Sequence, residues 1–246
     1  MTRNHTQPVF QQALGAAWEK LGDVIRRHYT MTPFSDDYVC VRGTMNEVHH
    51  APWAALLMPF GRLFGALVPY TGTDVPIEVH YRCKPGDANL YWDRVFHFAG
   101  RKPFHFRSHM EHTAAHGAEV IEYVRFGIGM RLAVSAEDGA LVFRDRGYIW
   151  RIAGLRVPLP LGLFMGTAYV EERPDPTSLE HFTMKMLLRH RWFGDVFRYS
   201  GRFHLPSSPA SARDHNERTM PRRPENLYPQ YHAHVYFAPR HGGASA

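Results

Sequence analysis

Ile77-Glu-Val-His-Tyr-Arg-Cys-Lys84 alternates without a break: Ile77, Val79, Tyr81 and Cys83 face one way, and Glu78, His80, Arg82 and Lys84 the other. A period of two places every second side chain on one face of a strand, so this stretch reads as a half-buried strand. Runs of similar texture occupy 38–48, 90–98, 104–112, 118–134, 140–150, 166–173, 178–189 and 195–205. Between them stand turn signals such as Lys84-Pro-Gly-Asp87, Gly100-Arg-Lys-Pro103, Glu137-Asp-Gly139 and Arg173-Pro-Asp-Pro176, whose shortness implies hairpins. The expected class is α+β and β-rich: a strongly curved antiparallel sheet or partly open barrel of about eight strands, with two main helices packed on it. A flat sheet of that size would leave exposed edges and an uncovered apolar face.

Phe10, Leu14, Ala17, Trp18, Leu21 and Ile25 recur at helical spacing, and predict one amphipathic helix over 7–29. A second helical region, Pro52 to Leu57, is interrupted at Pro59 and resumes over 60–68. After Leu205 the texture changes, since 206–226 has four prolines and none of Leu, Ile, Val, Phe, Tyr or Trp. The organisation expected is one β-rich domain over 1–205, a Pro/Ser-rich linker over 206–226, and a tail over 227–246 whose Tyr228–Pro239 stretch either docks back as a strand or forms an adhesive tail.

The 246 residues carry 44% hydrophobic side chains, which excludes global disorder, and two cysteines, which excludes a disulfide scaffold. No Cys-x-x-Cys pair suggests a zinc ribbon or a redox site, and two lone thiols suit a reducing cytoplasm. The N-terminus shows no continuous apolar run of the secretory kind, and Ala51–Tyr70 is too punctuated by Pro59, Gly61, Arg62 and Gly65 to read as a membrane span. A net charge of +6 favours anionic partners without specifying one. There is no Gly-rich phosphate loop and no Gly-x-Ser-x-Gly elbow. The basic and aromatic Arg189–Tyr199 run alternates like a terminal strand, so no specific nucleic acid is expected.

Charge on the apolar phase of a strand is the most informative local signal, because an ionised group taken out of water is costly unless paired. Arg94 falls on the face of Leu90, Trp92, Phe96 and Phe98, and Glu122 on the face of Val120, Val124, Phe126 and Ile128. Ser108 shares a face with Phe104, Phe106 and Met110. One reading is a structural ion pair that fixes register. The other is an interior lined by Trp92, Phe96, Phe106 and Phe126, where Arg94, Glu122 and Ser108 hold the polar head of a small hydrophobic molecule.

His105, His109, His112 and His116 recur at four, three and four residues, which on a helix would make a metal-binding face. Phe104, Phe106, Ser108 and Met110 alternate with His105, Arg107, His109 and Glu111, however, so the stretch reads as a strand with a polar outer face, and no metal or other cofactor is assigned. The segments 60–68 and 157–165 read as core; if they flank the mouth of the barrel instead, they form an entrance able to touch a bilayer, with the positive charge helping.

The order of landmarks resembles the bacterial domain of unknown function 4166 family over about 10–205. It is carried by Tyr38-Val-Cys-Val-Arg-Gly43, Trp92-Asp-Arg-Val-Phe96, Phe106-Arg-Ser108, Glu122 followed by Arg125-Phe-Gly127, Leu159-Pro160 and Tyr199-Ser-Gly201, with Trp-x-Arg-x-Phe the most specific. The resemblance implies a single intact domain and brings no catalytic residue. The function expected is non-enzymatic binding of a small hydrophobic or lipid-like ligand, in the cytoplasm or peripherally at the inner membrane face. A metal- or histidine-dependent enzyme using 105–116, and an interaction module for an oxidoreductase or membrane partner, stand as alternatives. Oligomeric state is left open.

Overall fold

The computed structural model describes residues 7–65, 67–112 and 117–205. The 206–226 linker, the 227–246 tail and His116 lie outside the described residues. The strands are β1 (Tyr38–His50), β2 (Gly72–Lys84), β3 (Asp87–Phe96), β4 (Phe104–His112), β5 (Glu119–Tyr123), β6 (Ile128–Glu137), β7 (Ala140–Ile152), β8 (Leu155–Leu159), β9 (Thr167–Pro174), β10 (His181–His190) and β11 (Gly194–His204). They run β6-β5-β4-β3-β2-β1-β11-β10-β9-β7-β8, and β7 pairs back onto β6, so ten strands close into an antiparallel barrel with β8 as an extra strand on β7.

Closure and a higher strand count correct the expected partly open sheet of about eight strands. The 118–134 stretch is two strands, because Phe126 (φ 58°) and Gly127 (φ 75°) both enter the left-handed region and turn the chain between β5 and β6. β8 falls in the Pro- and Gly-punctuated apolar stretch after 156, where Pro158 is tolerated because an added edge strand needs no N–H from it on its open side.

The helix expected over 7–29 is also broken. It becomes α1 (Val9–Leu14), a 3₁₀ segment (Gly15–Lys20) and α2 (Asp23–His28). Gly15 (φ 55°) ends α1, and Gly22 is extended, donating its N–H to the Gly139 carbonyl at 2.9 Å. A Cβ at Gly22 would lie 2.3 Å from Pro174 Cγ, so only glycine lets the chain pass this close to the barrel end. The second helical region is a 3₁₀ segment (Pro52–Leu57) running into α3 (Met58–Phe64), which Gly65 (φ 66°) stops.

Antiparallel alternation gives the barrel two distinct ends. The β2–β3, β6–β7 and β9–β10 turns gather at one, and α1 and α2 plug it: Leu21 bridges to Gly139, and the Phe34 N–H donates to the Asp87 carbonyl at 2.9 Å. Phe10 reaches across to Trp92 of β3 and Phe143 of β7, with ring centroids at 6.3 and 5.5 Å. The other end holds the connections after β1, β3, β5, β7 and β10, with Ala54, Met58, Leu67 and Val68 buried there. One continuous core fills the space between, from Val41 and Ile77 to Phe182 and Phe203, and a small satellite of Ile121, Tyr123 and Ile149 lies on the outer face.

A Cβ at Gly127 would lie 2.4 Å from the Arg151 carbonyl oxygen, whereas Gly86 (φ 79°) has open space around it. Gly86→Ala is expected to cost about 1 kcal/mol for the backbone conformation alone, and Gly127→Ala about 2 kcal/mol or more. Scanning calorimetry should show the Gly127 variant melting roughly 4–8 °C below the parent, with Gly86→Ala clearly less affected; equal shifts would contradict the steric account.

Candidate functional site

The barrel interior carries charge where the strand phase predicts it. β3 pairs with β4 so that Trp92 faces Ser108 and Arg94 faces Phe106, and β4 pairs with β5 so that Met110 faces Glu122. That register brings three polar side chains together inside. Arg94 Nη2 donates to Glu122 Oε1 at 3.0 Å, Arg94 Nη1 donates to Ser108 Oγ at 3.1 Å, and the Ser108 hydroxyl donates to Glu122 Oε1 at 2.6 Å. The guanidinium also lies over the rings of Trp92 (4.4 Å) and Phe106 (4.8 Å). Burial works against its charge, and the Glu122 carboxylate more than offsets that, so Arg94 stays protonated. Trp92 and Phe96 are buried and Phe106 is partly buried against the core. Phe126 departs from expectation: it stands exposed in the β5–β6 turn, because the left-handed turn removes it from the strand phase assumed for it.

A second polar group faces the first across the barrel. Glu172 on β9 is buried and receives the Tyr29 hydroxyl at 2.9 Å to Oε2 and 3.0 Å to Oε1. His28, fully buried at the end of α2, places Nδ1 3.6 Å from Glu172 Oε2, too long for a hydrogen bond. Neither ring nitrogen of His28 has a partner, nor has Trp92 Nε1. Between Arg94 and Glu172 lies a cavity of about 10 Å³, lined also by Tyr81, Trp92, Phe182 and Tyr199. That is room for about one water molecule. Desolvation pushes the Glu172 carboxyl up to about 7 and His28 down to about 3, and it raises the phenols of Tyr81 and Tyr199. Near neutral pH the interior thus holds one compensated ion pair, a Glu172 carboxyl close to its midpoint, and neutral histidine and phenol groups.

Sequence reasoning missed Glu172, His28 and Tyr29. Glu172 shares the phase of Ala168 and Val170, the signal that singled out Arg94, but the Glu171-Glu172 doublet puts an acid on both faces and hides it. His28 stands at helical spacing from Leu21 and Ile25, on the apolar face of the stretch.

The histidine segment does not converge. His105 meets Asp93 at 3.0 Å on the outer face, His109 stacks on Tyr123, and His112 approaches the Glu119 carbonyl at 3.2 Å. Three other groups do meet on the outer face of β1 and β2: Cys40, Glu78 and His80 hold their ligand atoms within 4.8 Å of one another. Arg42 already pairs with Glu78 at 3.2 Å, Tyr38 Oη lies 2.6 Å from His80 Nδ1, and burial pushes the Cys40 thiol up, away from the thiolate that binds metals.

The family model "Domain of unknown function (DUF4166)" matches residues 21–203, from two residues before α2 through nearly all of β11. The chain belongs to the DUF4166 family. No protein with curated annotation matches this DUF4166 domain. Among solved structures it is similar to Rv2717c from M. tuberculosis, at 13% identity and a TM-score of 0.37, covering 76% of this chain and 99% of that one. It is also similar to an N-terminal dehydratase from the difficidin assembly line, at 7% identity and a TM-score of 0.19, covering 75% and 99%. At these values neither likeness bears on fold or function.

Two predictions follow from the charges of the DUF4166 barrel. Glu122→Met strands the buried Arg94 and should cost about 3–5 kcal/mol in urea denaturation, while Arg94→Met/Glu122→Met together should recover most of that. A double variant as unstable as the single one would mean the pair is not isolated from its surroundings.

The second concerns pH. Glu172 titrates near 7 folded against 4.5 unfolded, and His28 near 3 folded against 6.5 unfolded. The raised acid holds its proton in the native state, so its contribution falls as pH rises through about 4.5–7; the lowered base loses its proton on folding, so its contribution rises with pH through about 3–6.5. The two oppose each other between 4.5 and 6.5, and there the pair contributes a plateau. Glu172→Gln keeps an acceptor for Tyr29 and removes the acid's part. Its stability relative to the parent should grow by about 2 kcal/mol between pH 5 and 8.5, and a difference independent of pH would place the Glu172 proton elsewhere.

Proposed function

We propose that this domain is a binding protein whose barrel takes a largely apolar molecule ending in an uncharged, hydroxyl-type polar head. The observation that carries the reading is the mostly apolar cavity that meets Arg94 on one side and Glu172 on the other, with one such head, the Tyr29 hydroxyl, already bonded to Glu172. Arg94 is neutralised by Glu122, so a carboxylate head would bring an uncompensated charge inside, whereas a hydroxyl accepts from one side and donates to the other.

The interior as folded is filled, and a ligand needs the room occupied by the plug. Phe10 and Tyr29 lie edge to face at 4.5 Å in the barrel, an apolar body with a hydroxyl tip, and so act as a surrogate for the ligand. The plug is suited to yield: α1 and α2 have six residues each, and neither has a side-chain N-cap hydrogen bond. α1 also lies ahead of the family match, while the polar interior lies within it.

The test is a native mass spectrum of the untagged, gently purified chain against its denatured mass. An organic adduct lost on denaturation is expected in the parent and should fall at least tenfold in Arg94→Met/Glu122→Met. A bare parent chain in folded charge states, or an adduct that the double variant retains, would remove the reading.

A further inference from the structure

The two barrel ends differ in a way the interior does not explain. Leu56, Leu155, Leu163, Phe164, Trp192 and Phe193 are each at least 63% exposed, and all lie at the end opposite the plug, on connections or at the start of β8. Leu63 and Phe126 add to the same surface, and among the exposed large apolar side chains of the described residues only Leu179 lies at the plugged end. The connections are knit into one surface. Phe64 meets Phe126 at 6.0 Å, Trp53 meets Phe193 at 5.3 Å, His190 Nε2 lies 2.9 Å from the Leu163 carbonyl, and Trp150 Nε1 donates to the Phe126 carbonyl at 2.9 Å. Apolar patches of this extent mark interaction sites.

Charge identifies the partner. The segments 51–71, 97–103, 124–127, 150–166 and 190–194, which make up this end, contain no Asp or Glu but carry Arg62, Arg101, Lys102, Arg125, Arg151, Arg156 and Arg191. Arg151 and Arg156 reach back to Glu111 on β4. The other five are exposed, and none enters an ion pair among the described residues. Acids gather at the plugged end instead, with Asp36, Asp37, Asp87, Glu137, Asp138 and Asp175.

We propose that this end of the barrel docks on an anionic lipid bilayer, the leucine and aromatic tips entering the interface and the unpaired cations meeting lipid phosphates. Trp and Phe beside Arg is the side-chain set that interfacial binding uses: apolar burial supplies the grip and basic residues supply the preference for anionic lipid. A second copy of the chain is the poorer occupant, because a two-fold contact would set five unpaired cations against their copies with only Asp74 and Asp195 at the border to receive them, and Asp195 already pairs with Arg189. The surface lies outside the polar interior, so the proposal stands whether or not the barrel takes a ligand.

The test is co-sedimentation of the full chain with phosphatidylcholine vesicles and with vesicles containing a third phosphatidylglycerol, at low and high salt. The parent should bind the anionic vesicles, bind phosphatidylcholine alone at least tenfold more weakly, and lose affinity as salt rises. Trp192→Ser/Phe193→Ser should bind at least tenfold more weakly, and Arg62→Gln/Arg191→Gln should lose roughly fivefold for each cation removed. Lys20→Gln, at the plugged end, should match the parent. All five side chains are exposed, and melting temperatures equal to the parent's confirm that each variant folds. Equal binding to both vesicle types, rim variants that bind like the parent, or a concentration-dependent dimer abolished by Trp192→Ser/Phe193→Ser would overturn the proposal, the last assigning the surface to self-association.

Discussion

Pairing of β6 with β7 is the constraint on which the rest of the molecule depends. Nine residue pairs from Ile128↔Trp150 to Glu137↔Ala140 join the two ends of the sheet, and with them the barrel strands have no free edge. Closure makes one face of every strand an interior. It also makes the polar side chains on that face a matter of mutual compensation, because none can turn to solvent. Arg94, Glu122 and Ser108 satisfy one another, and Tyr29 satisfies Glu172; what is left over is the His28 ring and Trp92 Nε1, and Trp92 lines the cavity between Arg94 and Glu172.

The plug and the far rim divide the work of the barrel between its ends. At one end the N-terminal helices insert Phe10, His28 and Tyr29 among the strand side chains, and a single close approach, Gly22 over Pro174, sets the angle at which they enter. At the other, long connections bury small and aliphatic residues such as Ala54 and Val68 against the core and leave leucine and aromatic tips outside among arginines. Charge on the described barrel is segregated, with unpaired cations at the rim and acids such as Asp87, Glu137 and Asp138 around the plug.

A large part of this was legible in the chain. Alternation placed most strands to within a few residues, and β4 at 104–112 to the residue. Charge on the apolar phase picked out Arg94, Glu122 and Ser108 as partners although they lie 14 and 28 positions apart. Such signals are readable because the strand period is local: a residue's face follows from its neighbours two places away. Reading failed where that local rule was broken by backbone conformation, as at Phe126–Gly127, where one left-handed turn split a run and sent Phe126 outside. It failed again at Glu171-Glu172, where both phases carry the same charge.

The sequence by itself determined the β-rich class, the positions of the strands, the interior ion pair and the concentration of apolar and basic residues in five connections, since each depends on side-chain period or composition. Only the tertiary structure decided that the sheet closes, that Glu172 faces Arg94 across a cavity, and that those five connections share one end. Closure depends on pairing between β6 and β7 and between β7 and β9, β9 lying beyond the intervening β8, and strand order is a property of the whole set. No local pattern records how many strands separate two residues around a barrel.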